Sequence, residues 1–185
     1  MSQLYLSQIL KLEEKGVRMS EKVKPIYASG VFTFSRNGKV TQYTIFYYED
    51  PENYYASLNK SSLDLELKNI KSNLQYFLDQ ETILINGEKS RARVIWAKLG
   101  LIKVDLPFVE FIITFRGRLR RGSNEYVNYY EEEEAEYPYE VTWVMPGRIL
   151  DIKIHGQVTI NKNIVYVKVN RGTKVGGEEK ITFFI

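Results

Sequence analysis

The sequence has no cysteine and a single histidine among its 185 residues. Without thiols there can be no disulfide, thiol nucleophile, iron–sulfur cluster or thiolate zinc site, and His155 alone cannot build a histidine-rich metal centre. Long apolar runs are missing as well. Nowhere do about 18 consecutive apolar residues stand together to make a membrane span, and residues 1–15 lack the basic stretch and unbroken apolar run of a secretory leader. The expectation is a cytoplasmic chain. Phosphate loops and the G-x-G-x-x-G, G-x-S-x-G and H-E-x-x-H patterns are also absent, so no cofactor and no metal is expected. The 12 glycines follow no period, which excludes a collagen-like fibre.

What remains is a globular composition, 44% hydrophobic and 26% charged, in a length that suits one domain with a substantial core. Abundant Lys, Glu, Ile, Val and Tyr with few Gln suggests a heat-adapted source.

Residues 1–20 read as an N-terminal helical extension. Tyr5, Ile9 and Leu12 recur at helical spacing beside Leu6 and Leu10, Gly16 can close the helix, and Met19 offers an alternative start. Residues 26–49 read as a β-hairpin whose Asn37-Gly38 pair supplies the positive φ angles of a type I′ turn. Residues 51–80 read as a helical segment. Asp50 before Pro51 starts a short helix, and Leu63, Leu67, Ile70, Leu74, Phe77 and Leu78 space a longer one behind a capping box at Ser61 to Asp64. From Thr82 to the end, residues 82–185, the period changes to 2 with turn signals every few residues. Seven or eight strands with short connections predict an antiparallel meander. The expected fold is α+β, mainly β: one strongly curved sheet or barrel holding one or two helices.

The meander's alternation separates two faces. One collects Ala92, Val94 and Trp96; Ile102 and Val104; Phe111, Ile113 and Phe115; Val141, Trp143 and Met145; Leu150, Ile152 and Ile154; and Val165, Val167 and Val169. This is the expected core. The other collects Arg91, Arg93, Lys103, Asp105, Arg116, Arg118, Arg120, Asp151, Lys153, His155 and Lys168, which reads as a solvated face, with a polar tunnel as the alternative. His155 in that company reads as exposed.

Arg116, Arg118, Arg120 and Arg121 precede a strand with Tyr126, Tyr129 and Tyr130 and four glutamates, Glu131 to Glu134. Arginines among tyrosines suit phosphate contact and base stacking, but the expected outcome is cross-strand Arg–Glu pairing. The acidic run lacks calcium-loop spacing and reads as a solvated edge. Of the paired tyrosines, one of each strand pair should face inward, making walls with both apolar and polar character. A similarity between 31–55 and 112–137 suggests a possible duplication or two hairpins of like composition. Asp64-Leu65-Glu66-Leu67-Lys68 resembles the alternating acidic-acidic-lysine signature of triphosphate tunnel enzymes over five residues, with Asp in place of the first Glu and inside a helix-spaced segment. That resemblance implies an antiparallel tunnel lined with charge.

Three functions follow. The favoured one is non-enzymatic binding of a small apolar or amphipathic molecule in a cavity of the curved sheet, with Trp96, Trp143 and Tyr129 as walls. The second is an adaptor that binds protein or nucleic acid through the 116–121 hairpin, using Arg116, Arg118 and Arg120. The third is a phosphate-handling tunnel enzyme. Fold alone cannot choose among them.

Overall fold

A computed structural model describes residues 23–185. The helix expected within 1–20 lies outside the described residues. Twelve strands and two helices follow: β1 Lys24–Phe34, β2 Lys39–Glu49, α1 Tyr54–Ser57, α2 Lys60–Leu78, β3 Thr82–Ile85, β4 Glu88–Ser90, β5 Arg93–Lys103, β6 Leu106–Arg116, β7 Ser123–Glu134, β8 Tyr139–Val144, β9 Arg148–Lys153, β10 Gln157–Asn161, β11 Ile164–Val169 and β12 Lys174–Phe184.

The strands form two sheets rather than one meander. The larger has the order β10-β11-β8-β1-β2-β6-β5 and the smaller β4-β3-β7-β12-β9. All pairings are antiparallel except β1 with β8. The expected closed barrel is therefore corrected to two open sheets. Short connections predict hairpins, but those after β4, β6, β7, β8, β9 and β11 cross from one sheet to the other. The duplication reading fails on the same ground: β1 and β2 pair in one sheet, whereas β6 and β7 sit in different ones.

The sheets face each other across one core. Phe34 of the larger sheet meets Tyr126 and Phe183 of the smaller at ring distances of 5.2 and 6.3 Å, and Phe115 stacks on Tyr126 at 6.2 Å. Phe111, Ile113, Phe115, Val141, Trp143, Met145, Val165, Val167 and Val169 are all buried, as their alternation predicts. Trp96 is not. The register slips between Val94 and Trp96, and the extra residue turns Trp96 to the outer face, 40% exposed. A second slip between Thr182 and Phe183, opposite Asp151 and Ile149, leaves Leu150 exposed, and Ile102 and Val104 lie exposed at the β5–β6 turn.

The two Asn-Gly turns differ. Asn86 and Gly87 both have positive φ, 53° and 80°, as a type I′ turn requires. At the β1–β2 turn only Gly38 does, at 79°; its N–H donates to Ser35 O at 2.9 Å, and the Asn37 side chain accepts from Lys39 N at 3.0 Å. The expected type I′ turn at Asn37-Gly38 is thus a longer turn ending in a left-handed glycine.

Asp50 opens the helical segment, as its place before Pro51 suggests. Its buried carboxylate accepts from the backbone N–H groups of Tyr54 at 2.9 Å and Tyr55 at 2.8 Å. Asp50→Ala strands both donors and is expected to cost about 2 kcal/mol, read as a shift in the urea midpoint. The α2 cap is Asn59, which accepts from Ser62 N at 2.9 Å, two residues before the start of the expected box at Ser61. α2 lies along the edge strand β5, where Gln75 accepts from Val94 N at 2.9 Å and donates to Ala92 O at 3.0 Å. The tunnel signature sits on this helix. Asp64 and Lys68 are exposed and Glu66 is buried, so they line no strand, and the tunnel reading loses its support.

Burial raises the Glu66 pKa, and the Tyr55 hydroxyl, which donates to it at 3.5 Å, offsets this only in part. The folded chain then holds the proton to higher pH than the unfolded chain, so stability falls as pH rises through the raised value. Glu66→Gln is expected to raise the melting temperature at pH 7 and to leave it unchanged below about pH 4, where the carboxyl is protonated in both states.

Candidate functional site

Strand directions gather the turns at 35–38, 86–87, 117–122, 145–147 and 161–163 at one end of the sandwich. Among the described residues that end carries Arg36, Arg116, Arg118, Arg120, Arg121 and Arg148 with Lys39, Lys89 and Lys162, against the carboxylates of Glu88 and, two residues into β7, Glu125. The glutamates leave β7 at the other end. Eight strand residues, Ser123 to Tyr130, separate Glu131 from the arginine loop, about 27 Å. The expected Arg–Glu pairing therefore does not occur, because β6 and β7 are not neighbours.

Two glycines bring the arginines together. Gly117 N–H donates to Gly38 O at 3.0 Å, and a Cβ on Gly38 would stand 1.8 Å from Gly117 O. This close approach, together with the pairing of Lys39 with Arg116, sets Arg36, from the first turn, beside Arg116 and Arg118. With Asn37, Glu88, Gly117 and Leu119 these three line a groove of about 420 Å³. None of the three guanidiniums lies within ion-pair distance of a carboxylate among the described residues.

The loop that carries them is fixed from beneath. Asn124, buried, accepts from Arg120 N at 2.9 Å and donates to Arg120 O at 2.7 Å and Gly122 O at 3.0 Å. Asn86 donates to Arg118 O and to Asn124 Oδ1, both at 2.9 Å, and accepts from Glu125 N. Ser90 Oγ donates to Arg116 O at 2.9 Å. Gly122 exchanges two backbone hydrogen bonds with Ile185. The backbone is thus held before any ligand arrives, while the guanidiniums of Arg36, Arg116 and Arg118 stay exposed. Positive charge on a preorganised loop can hold anionic oxygens without first paying to order the loop.

The six residues singled out from the sequence do not form one site. Arg116 and Arg118 share the groove; Arg120 is on the same loop, with its Nε donating to Ser123 O at 3.1 Å. Trp143 is buried and stacked on Phe32 at 5.4 Å. Trp96 lies on the outer face of the larger sheet, in a row with Ile112, Tyr43 and Val31. Tyr129 lies on the outer face of the smaller sheet, its hydroxyl donating to Glu178 at 2.9 Å, six residues down β7 from Ser123. Trp96, Trp143 and Tyr129 consequently cannot wall one cavity. Arg36, Asn86 and Asn124 were missed, although the Asn-Gly and Gly-Ser-Asn turn signals marked their neighbourhoods.

The paired strand tyrosines do divide as expected: Tyr48 and Tyr130 are buried, Tyr129 exposed and Tyr47 half-buried. The outward Tyr43 donates to Glu110 at 2.7 Å, and its pKa is pushed up to about 12, first by burial and then by that carboxylate. Inside, the Tyr130 hydroxyl donates to the buried Glu179 at 2.6 Å, and burial together with that carboxylate pushes its pKa well up. Beside it, Phe77, Gln80, Glu81, Tyr130 and Glu131 line a small cleft of about 120 Å³. His155 is exposed near Glu132 to Glu134 and Lys174, and no group of three metal-ligating side chains is found among the described residues. No described helix is long and apolar enough to cross a membrane.

The sequence matches no protein-family model and none of the curated proteins. Among solved structures it is similar to the folded domain of LppM from Mycobacterium tuberculosis, 9% identical over 91% of this chain and 96% of that one, with a TM-score of 0.44. A protein described as a putative protease from Parabacteroides distasonis is 5% identical, covering 90% of this chain and 41% of that one at a TM-score of 0.34. An M1 zinc metallopeptidase from Deinococcus radiodurans is 8% identical, covering 88% and 42% at 0.37.

Proposed function

We propose that the chain is a non-enzymatic binding module that holds a phosphate-bearing polyanion, with nucleic acid as the working partner, at the basic end of the sandwich. The observation that carries this reading is the groove in which Arg36, Arg116 and Arg118 converge, with Glu88 in the lining but no ion pair to any carboxylate among the described residues. Guanidiniums contact phosphate through planar forks of donors, and contact with several phosphates releases counterions. Base stacking on tyrosines has no support at this groove. Tyr129 stands on another face from the arginines and Leu119 is the groove's one large apolar residue, so contacts are to the backbone of the polyanion and not to its bases.

The small-molecule reading is the weaker one. The space between the sheets is filled by Phe34, Phe115, Tyr126, Trp143 and Phe183, and the clefts of ligand size, about 400 Å³ between Leu78 and Arg91 and about 360 Å³ beside Glu132 to Glu134, are lined mainly by polar and charged side chains and not by an apolar wall.

Titration of a fluorescently labelled oligonucleotide with the protein, followed by anisotropy at 20 mM and 200 mM salt, tests the proposal. Binding at the lower salt, indifferent to base sequence, sharply weakened at the higher and competed by polyphosphate, is expected. No binding at 20 mM salt overturns it.

A further inference from the structure

Each sheet has two edges, and among the described residues three of the four carry features that discourage strand addition. β5 has two register slips and is tied to α2 through Gln75. β4 is three residues long and includes Glu88 and Lys89. β9 holds Arg148, Asp151 and Lys153 and slips against β12. β10 has none of these features. Its five residues, Gln157 to Asn161, carry no charge and no proline, pair one-for-one with β11 without a bulge, and meet no strand of the described residues on their other side.

We propose that β10 is a dimerisation edge at which a second copy of this chain adds antiparallel, joining two seven-stranded sheets into one. The side chains favour a second copy over a foreign strand because the segment complements itself. A two-fold axis through Thr159 sets Gln157 opposite Asn161 of the partner subunit and Val158 opposite Ile160 of the partner subunit, with no charge facing a like charge. Faces agree as well. Val158 and Ile160 pair with the buried Val167 and Val165, so they point to the core side, where a partner would continue the apolar layer. Ile160 is 48% exposed. Gln157, Thr159 and Asn161 lie on the outer face, where amides and a hydroxyl can bond across the junction. Five residues make a small interface, so the dissociation constant is expected on the order of tens of micromolar.

Sedimentation equilibrium of the full chain and of two variants tests this. Thr159 is exposed on the outer face, so Thr159→Lys and Thr159→Glu should leave the melting profile of the fold unchanged. Each sets a charge against itself across the axis and should weaken self-association about fivefold or more. An equimolar mixture of the two should form a heterodimer at least as tight as the parent. A parent that stays monomeric to about 500 µM, including one that captures only extended peptides, overturns the proposal. So do single variants that dimerise like the parent, or a mixture that gains nothing.

Discussion

Trp143→Asp is expected to abolish cooperative folding. Trp143 is 1% exposed, stacked on Phe32 in the centre of the larger sheet's inner face, with Val165 beside it on β11. Removing the ring costs about 3–5 kcal/mol, and placing a carboxylate where no cation waits adds several more. Together these approach the 5–15 kcal/mol that stabilises a whole domain. Loss of near-ultraviolet circular dichroism and of a sigmoidal melt is the expected readout. Trp143→Phe separates the two terms, since it keeps an aromatic ring and should melt cooperatively at a lower temperature. A Trp143→Asp protein that melts like the parent would show that the inner face has been assigned to the wrong side.

That inner face was legible because alternation is a local property. Phe111 to Phe115, Val141 to Met145 and Val165 to Val169 each set apolar residues at every second position, and a strand with one buried face has no other way to arrange them. Two kinds of information were not legible. A bulge adds one residue without a signature, so Trp96 reads as inward by counting from Val94 and stands outward once the slip at Ile95 is included. Sheet membership is hidden too, because both inner faces of a sandwich alternate in the same way. Nothing in the 117–122 connection says that it crosses between sheets instead of closing a hairpin. β7 concealed itself further by placing Asn124 and Asn128 among its buried residues. The second of these donates to Glu81 at 2.9 Å and the first holds the arginine loop.

The site was half legible for the same reason. Arg116, Arg118 and Arg120 show as a basic alternation, but their neighbour Arg36 lies 80 positions earlier in the chain than Arg116. Their shared groove depends on a backbone approach at Gly38, where a Cβ would stand 1.8 Å from Gly117 O. The net charge of +3 likewise hides a chain whose basic turns collect at one end while Glu131 to Glu134 leave at the other. Charge counted along a sequence reports the sum. What a polyanion meets is the field of one end, strengthened by the distance to the compensating carboxylates beyond a Debye length of roughly 10 Å.

Replacing Arg36, Arg116 and Arg118 together with Ala is therefore expected to remove most polyanion binding while leaving the fold intact. The three side chains make no ion pair with the described residues, and the loop is held through backbone atoms by Asn86, Ser90 and Asn124, so the melting temperature should stay within a degree or two of the parent's. Each phosphate contact contributes about 0.9 to the slope of log affinity against log salt on duplex DNA. Losing three contacts should flatten that slope by nearly three units and weaken binding on the order of several hundredfold at 0.1 M salt. Arg120→Ala supplies the contrast. Its Nε is engaged by Ser123 O, and it does not line the groove, so its loss should change the slope by less than one unit. A triple variant with the parent's slope would mean that the polyanion is held by the general positive field of this end, by Arg121, Arg148 and the lysines as much as by the groove.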